Sequence, residues 1–182
     1  MKLLVVGDSY AAAVGAKPNW LDLLEVPTAL RRGRPGSTAQ QWAKSSNDWL
    51  VQAQSIYVDM ILISLLGNDA TAAAIDNDVK ADEVITGIES VMQVAAALER
   101  PWTGVFLYAD PFFGKNRFTK RSIPLVNRAL RIVYASFPKV HFIDLGKILG
   151  PECFDGVNIH PNAAGHAAIA AAVRAQLPDT VA

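Results

Sequence analysis

LLVVGDS, the stretch at Leu3–Ser9, decides the fold because four consecutive apolar residues run directly into a glycine and two polar residues. A short run that is apolar on both faces is typical of a parallel strand covered by helices. Four more such runs follow, at residues 28–30, 60–66, 103–109 and 140–143. Each ends at a turn or at an acidic residue. The pattern therefore predicts five strands of one parallel sheet.

Longer segments with helical spacing of apolar residues separate these runs, at residues 38–54, 79–99, 122–136 and 162–176. In the second segment Ile88, Val91 and Leu98 recur at helical spacings. Pro161 stands at the start of the last segment, where proline is well tolerated. Strands that alternate with helices predict an α/β protein with a three-layer α/β/α architecture and a five-stranded parallel sheet. Because no repeat or linker interrupts the pattern, residues 1–182 are predicted to form a single domain.

The composition excludes several classes of protein. Hydrophobic residues make up 51% of the 182 residues, which is enough for a core and excludes general disorder. Seventeen basic residues balance seventeen acidic ones, so we expect no nucleic-acid partner. No apolar run is long enough to span a bilayer, and the first run reaches Gly7 too soon to form a signal-peptide core. We therefore expect a cytoplasmic protein without a membrane span.

The polar residues that follow the strands are the candidates for chemistry, because ligands of parallel α/β sheets gather at the carboxyl ends of the strands. Ser9 follows the first strand, and a serine becomes a nucleophile when a positioned base removes its proton. His160, just ahead of the last helix, is the candidate base. Gly36 and Asn68 follow the second and third strands, and a backbone N–H and a side-chain amide suit an oxyanion. Taken singly, each of the four also fits a turn or a helix cap.

The remaining histidines and the cysteine are predicted to be structural. His141 lies within an apolar strand and is predicted to be a core residue, and His166 lies within an alanine-rich helix. Cys153 is the only cysteine, which excludes an internal disulfide, and a lone cysteine is usually a small core residue.

Four short blocks in the same order resemble one family. They are Gly7–Tyr10 (GDSY), Arg31–Thr38 (RRGRPGST), Leu66–Asp69 (LGND) and the segment from Asp155 to His166. In these blocks the sequence resembles the SGNH hydrolases, also called the GDSL esterase/lipase family, over essentially its full length. The resemblance implies a flavodoxin-like fold. It also implies a serine esterase that hydrolyses carboxylic esters, whether acyl or acetyl esters of small alcohols, lipids or carbohydrates, without a metal or organic cofactor.

The resemblance also implies a role for each matching residue. Ser9 would be the nucleophile and pass through an acyl-Ser9 intermediate, and His160 would be the general base and then the acid. The oxyanion hole would consist of the backbone N–H groups of Ser9 and Gly36 and the side-chain amide of Asn68. The partner would be a small-molecule ester.

The block around His160 departs from the family pattern. Members commonly carry the acid three residues before the histidine, where this sequence has Val157, whereas Asp155 lies five residues before it. Five extended residues span up to about 17 Å, so the loop must fold back for Asp155 to contact the imidazole. Asp155 is our candidate third member of the triad. Alternatively, the group that orients the imidazole is the Asn158 side chain or a backbone carbonyl, or the site has no acid at all.

The substrate pocket is less well defined by the sequence. Tyr10 replaces the leucine of the family's name motif and is predicted to narrow the pocket beside Ser9. Phe112 and Phe113 lie in a basic and aromatic loop after the fourth strand and are candidate substrate contacts, although a surface loop with inward-packed phenylalanines is an alternative. The positive charge of arginines 31, 32 and 34 suggests an acidic substrate. The alternative is that these arginines are ordinary solvated side chains. A non-catalytic binding or assembly domain that retains the fold is the alternative function.

Overall fold

Five strands form one all-parallel sheet in the computed structural model. The structure describes residues 2–26, 28–44, 57–65, 67–69, 79–107, 127–128, 131–133, 135–137, 139–156 and 159–178. The strands are β1 (Lys2–Gly7), β2 (Thr28–Gly33), β3 (Met60–Ser64), β4 (Trp102–Leu107) and β5 (Val140–Asp144). Their order in the sheet is β2-β1-β3-β4-β5. The predicted five-stranded parallel sheet is confirmed.

Helices follow the strands along the chain. They are α1 (Trp20–Leu24), α2 (Ala39–Lys44), α3 (Val79–Ala97), α4 (Leu145–Ile148) and α5 (Ala163–Arg174), with a 3₁₀ turn at Pro151–Cys153. α1 packs against α5, and α2 packs against α3. With the sheet between its helices, the fold is the predicted three-layer α/β/α arrangement. That the chain forms a single domain stays a prediction.

The burial of each strand follows from its place in the sheet. Every residue of β3 and β4 is buried, as expected for central strands covered on both faces. β5 lies at an edge and is only partly buried. The core between sheet and helices contains large side chains, among them Trp20, Trp42, Trp102 and Phe106. Cys153 is buried too, as predicted for a small core residue.

Two predictions about the edge strands were wrong in detail. β2 continues to Gly33 instead of ending at residue 30, because an edge strand tolerates exposed polar residues such as Arg31 and Arg32. His141 was expected in the core, but the edge position of β5 leaves it exposed, with its ring stacked on Trp102 at 5.7 Å between centroids.

Other boundaries agree closely with the sequence pattern. The helix predicted at 79–99 is α3, and the helix predicted at 162–176 is α5. Of the helix predicted at 38–54, the structure describes α2, and residues 45–54 lie outside the described part. Most of the helix predicted at 122–136 also lies outside it.

Candidate active site

The sheet register brings the first three candidate loops to one edge. Gly7 at the end of β1 pairs with Gly33 on β2 and with Ser64 on β3. Three parallel strands therefore end level with each other, and their carboxyl ends form one edge. Ser9, Gly36 and Asn68 follow these ends by two, three and four residues.

A buried carboxylate holds the start of the Ser9 loop. Asp8 accepts hydrogen bonds from the Tyr10 N–H and from the Ser64 hydroxyl, both at 3.0 Å, and its own N–H donates to the Ser64 carbonyl at 2.8 Å. The Ser9 carbonyl accepts from the Val14 N–H at 3.0 Å. The loop thus turns back on itself immediately after Ser9. These bonds fix the direction in which the chain leaves β1.

The Gly36 loop is tied to the end of the same strand. The Arg34 N–H donates to the Gly7 carbonyl at 2.7 Å, and the Ser37 hydroxyl donates to the same oxygen at 3.3 Å. Gly36 has φ +81°, a left-handed conformation that favours glycine, and a Cβ built there would meet nothing within 4 Å. The backbone at Gly36 therefore borders open space, as a group that approaches a ligand must.

Asn68 is joined to the Gly36 loop by its side chain. Its Nδ2 donates to the Ser37 carbonyl at 3.0 Å. An amide nitrogen carries two hydrogens, so the second N–H can serve another acceptor. This contact sets the third loop against the second.

Asp69, the last residue of the third sequence block, makes contacts to which the sequence assigned no role. It is buried, and its carboxylate accepts the Ala39 N–H through both oxygens, at 2.9 and 3.1 Å. Ala39 is the first residue of α2, so Asp69 ties the Asn68 loop to the helix that follows the Gly36 loop. The available signal was an acidic residue directly after Asn68 in a run of otherwise small or apolar residues.

The segment that carries His160 follows the 3₁₀ turn and is bonded to it. Phe154 and Pro161 form an antiparallel bridge, and the Asn162 N–H donates to the Cys153 carbonyl at 2.9 Å. Asn162 also caps α5, because its side chain accepts from the Gly165 N–H. Burial of the half-buried His160 lowers its pKa, which favours the neutral imidazole that a general base requires.

A hydrogen bond connects the Ser9 loop with the His160 segment. The hydroxyl of Tyr10 donates to the carbonyl of Ile159 at 2.9 Å, and the rings of Tyr10 and His160 lie 6.5 Å apart between centroids. Tyr10 is only 4% exposed, and its contact with substrate stays a prediction. Tyr10, which directly follows Ser9, therefore contacts Ile159, which directly precedes His160.

Asp155, the candidate acid, is exposed and has a described partner. Its Oδ1 accepts from the Asn162 side-chain amide at 3.1 Å, and the same amide donates to the Glu152 carbonyl at 2.8 Å. Val157 and Asn158, between Asp155 and His160, lie outside the described residues. The place of Asp155 in a triad stays a prediction.

The other predicted contacts have mixed outcomes. Phe112 and Phe113 lie outside the described residues. Arg31 pairs with Asp22 at 2.6 Å, and this hydrogen bond lowers the pKa of the Asp22 carboxyl. The Arg34 guanidinium lies 5.0 Å from the centroid of the Trp42 ring. Two of the three arginines that suggested an acidic substrate therefore make contacts within the protein.

His166 has the structural role that the sequence predicted. It is buried in α5, and its Nδ1 accepts the Trp20 N–H at 3.3 Å. Burial lowers its pKa, with Lys17 as the next cause in the same direction. This histidine therefore connects α5 to the start of α1.

The described residues include no metal-binding cluster and no helix that could cross a membrane. No group of three or more His, Cys, Asp or Glu side chains within those ranges is arranged to hold a metal ion. Within the same ranges, no helix is both long enough and apolar enough to cross a membrane.

The fold and its sequence motifs define the class of the protein, a serine hydrolase that acts on ester bonds. More particularly, residues 5–168 match the model of the GDSL-like lipase/acylhydrolase family, and the chain belongs to this family. The resemblance carried by the four sequence blocks is confirmed. No curated protein matches the sequence.

Solved structures show the same fold at low sequence identity. A variant of Axe2, an acetyl-xylooligosaccharide esterase from Geobacillus, superposes with a TM-score of 0.74 and 18% identity, over 98% of this chain and 95% of that one. A member of the lipolytic G-D-S-L family from Veillonella parvula gives 0.76 and 17%, over 97% and 98%. LAE5, an α/β hydrolase from the metagenome of Lake Arreo, gives 0.74 and 18%, over 96% and 93%.

Proposed function

We propose that this esterase hydrolyses carboxylic esters through an acyl-Ser9 intermediate. Ser9 is the nucleophile, His160 is the general base and then the general acid, and Asp155 is the acid that orients the imidazole. The N–H groups of Ser9 and Gly36 and the side-chain amide of Asn68 stabilise the oxyanion. The substrate is an acyl or acetyl ester of a small alcohol, a lipid or a carbohydrate.

The observation that carries this proposal is the convergence of the loops. Sheet register brings the Ser9, Gly36 and Asn68 loops to one edge, and the Tyr10–Ile159 hydrogen bond joins the His160 segment to the Ser9 loop. The Asn68 amide donates one N–H to Ser37, which leaves its second N–H for an oxyanion. The lowered pKa of His160 favours the neutral base at neutral pH.

In the first half of the reaction, His160 takes the Ser9 proton while Oγ bonds to the carbonyl carbon of the ester. The carbonyl π bond breaks and its electron pair becomes the oxyanion, which the three donors stabilise. Collapse of this intermediate breaks the bond to the alcohol, which leaves with the proton from His160. Water then attacks the acyl-serine in the same way and releases the carboxylic acid, and Ser9 regains its proton.

The solved structures guide the choice of substrates to try. Structures of Axe2, an acetylxylan esterase, include catalytic mutants in which a serine, an aspartate or a histidine is replaced by alanine. The same three residue types are proposed here, and acetylated sugars therefore belong in the substrate panel with p-nitrophenyl acetate. The aspartate and histidine of Axe2 are three positions apart. Asp155 and His160 are five apart, so Asp155 is the residue whose role most needs a test.

The test combines labelling with hydrolysis. Wild type is incubated with a fluorophosphonate, the adduct is located by mass spectrometry, and hydrolysis of p-nitrophenyl acetate is measured for wild type and Ser9→Ala. We expect a single adduct at Ser9 and loss of hydrolysis in the variant. Ser90→Ala is the matched control, because the Ser90 hydroxyl donates to Thr86 within α3, away from the strand ends. Labelling at another residue, or unchanged hydrolysis in Ser9→Ala, rejects the proposal.

A further inference from the structure

Tyr10 links the neighbours of the proposed nucleophile and the proposed base. It directly follows Ser9, and its hydroxyl donates to the carbonyl of Ile159, which directly precedes His160, at 2.9 Å. The two bonded residues are 149 positions apart in the sequence. The ring planes of Tyr10 and His160 are tilted by 44°, with their centroids 6.5 Å apart. One side chain therefore bridges the two loops on which proton transfer depends.

The backbone of Tyr10 is itself held on both sides. Its N–H donates to Asp8 Oδ1 at 3.0 Å, and its carbonyl accepts the indole N–H of Trp20 at 2.9 Å. Asp8 is in turn bonded to Ser64 on β3. The ring starts from a backbone anchored to the sheet and to α1, so its hydroxyl can hold another segment in place.

The hydroxyl of Tyr10 keeps its proton to a higher pH than that of an ordinary tyrosine. Burial raises the pKa of Tyr10 well above its ordinary value, and the electrostatic interactions with Asp8 and Cys153 act in the same direction. A backbone carbonyl only accepts hydrogen bonds, so the tyrosine must be the donor. Deprotonation of Tyr10 therefore does not remove the contact to Ile159 at neutral pH.

Contacts hold the His160 segment on both sides of the imidazole. On the C-terminal side, Pro161 bridges to Phe154, and Asn162 bonds to Cys153 and caps α5. On the N-terminal side, Tyr10 bonds to the carbonyl of Ile159. The contact of Tyr10 therefore restrains the chain directly before the imidazole.

We propose that Tyr10 is a positioning residue for His160. Its hydroxyl holds the Ile159 carbonyl, and through it the imidazole, at the distance from Ser9 that proton transfer requires. This inference rests on the proposed roles of Ser9 and His160. The sequence suggested that Tyr10 contacts substrate, whereas the role proposed here is a contact with the residue that precedes His160.

The variant Tyr10→Phe removes the hydroxyl and keeps the ring. We expect kcat to fall roughly tenfold, as when a partner that orients a reacting group is lost. KM should stay within about twofold, because the substrate contacts are unchanged. A less constrained imidazole is better hydrated, so the His160 pKa should rise towards its ordinary value and shift the acidic limb of the kcat/KM profile to higher pH. His166 is a described titratable group that interacts electrostatically with His160, so its titration is followed alongside that of His160.

Two further variants distinguish the effect of the Tyr10 hydroxyl from the effect of ring packing and from the effect of a tyrosine-to-phenylalanine change elsewhere in the protein. Tyr57→Phe is the matched control, since Tyr57 is 60% exposed and its ring lies 4.9 Å below the guanidinium of Arg100, a contact that phenylalanine keeps. We expect it to behave as wild type. Tyr10→Leu removes the ring as well. Similar kcat losses in Tyr10→Phe and Tyr10→Leu assign the effect to the hydroxyl.

The measurements are kcat, KM, the pH profile, the rate of fluorophosphonate labelling at Ser9, and an NMR titration of His160. Wild-type kcat and an unshifted His160 titration in Tyr10→Phe overturn the positioning role, while labelling of wild type at Ser9 still supports the esterase mechanism. A loss in Tyr10→Leu alone assigns the effect to packing and also overturns it. Absence of a Ser9 adduct in wild type overturns the proposed mechanism, and the role of Tyr10 with it.

Discussion

Replacement of Gly7 by alanine should destabilise the protein far more than replacement of Gly156, where a Cβ would meet open space. A Cβ built on Gly7 would lie 1.7 Å from the carbonyl oxygen of Ser64, about half of an ordinary nonbonded separation. The obstacle is backbone of the neighbouring strand β3 and cannot turn aside as a flexible side chain would. Gly7 also has φ +141°, a conformation that residues with a Cβ rarely adopt.

The magnitude follows from three contributions. The unfavourable backbone conformation costs about 1–3 kcal/mol. Overpacking costs about 1–3 kcal/mol. Separation of the strands weakens the 2.8 Å bond from the Asp8 N–H to the Ser64 carbonyl, worth about 0.5–1.5 kcal/mol. The total of about 2.5–7.5 kcal/mol is a large part of the 5–15 kcal/mol that stabilises an ordinary domain.

Urea unfolding measures this cost, with Gly156→Ala as the matched control. Gly156 also has a positive φ, +63°, but a Cβ there meets nothing within 4 Å. Gly156→Ala should therefore lower the free energy of unfolding by only about 1 kcal/mol, because alanine is less favourable than glycine in this backbone conformation. With a slope of about 2 kcal/mol per molar urea, the midpoint should fall by more than about 1.2 M for Gly7→Ala and by about 0.5 M for Gly156→Ala. Equal midpoints for the two variants would refute the steric argument.

Four further predictions concern the candidate site and the histidine that connects α5 to α1. Asn68→Ala should lower kcat by about 10²–10³-fold, because an oxyanion donor is lost, and should shift the urea midpoint only slightly. A change in stability without a change in kcat would contradict this role. Burial lowers the pKa of His160, so the acidic half-point of kcat/KM should lie below pH 6.5; a half-point above 6.5 would contradict it. His166 also has a lowered pKa in the folded state. Its contribution to the free energy of unfolding should therefore be fully present above pH 6.5 and be lost as the pH drops through the folded pKa. Urea midpoints between pH 8 and 5 measure this loss. Asp155→Asn should lower kcat far more than Asp144→Asn, and equal effects would remove Asp155 from the mechanism.

The sheet was predictable because its signal is local. A run such as Leu3–Val6 is apolar on both faces, and only a strand covered on both sides buries all of it. Strand order was not assigned from the sequence, and the errors followed from this. β5 lies at the edge, so His141 is exposed, and β2 lies at the other edge, so its strand extends through Arg31 and Arg32.

The candidate site residues were found by their position after strands, whereas their supports were not. Asp69 caps α2, and its carboxylate contacts a residue 30 positions away. Tyr10 contacts a carbonyl 149 positions away. Such contacts depend on which loops meet at the sheet edge, and no periodicity in the sequence encodes a meeting of that kind.

The two halves of the proposed machinery are positioned by different physical means. Ser9, Gly36 and Asn68 are a few residues from strands whose backbones pair directly, so hydrogen bonds of the sheet set their separation. His160 is 16 residues beyond the end of β5, too far for strand register to control it. Side-chain hydrogen bonds take over there, from Tyr10 to Ile159 and from Asn162 to Asp155 and Glu152. A longer loop before the histidine is compatible with catalysis as long as these bonds fix where it ends. Substitutions in the side chains around His160 should therefore change the rate more readily than substitutions in the sheet, which should change stability first.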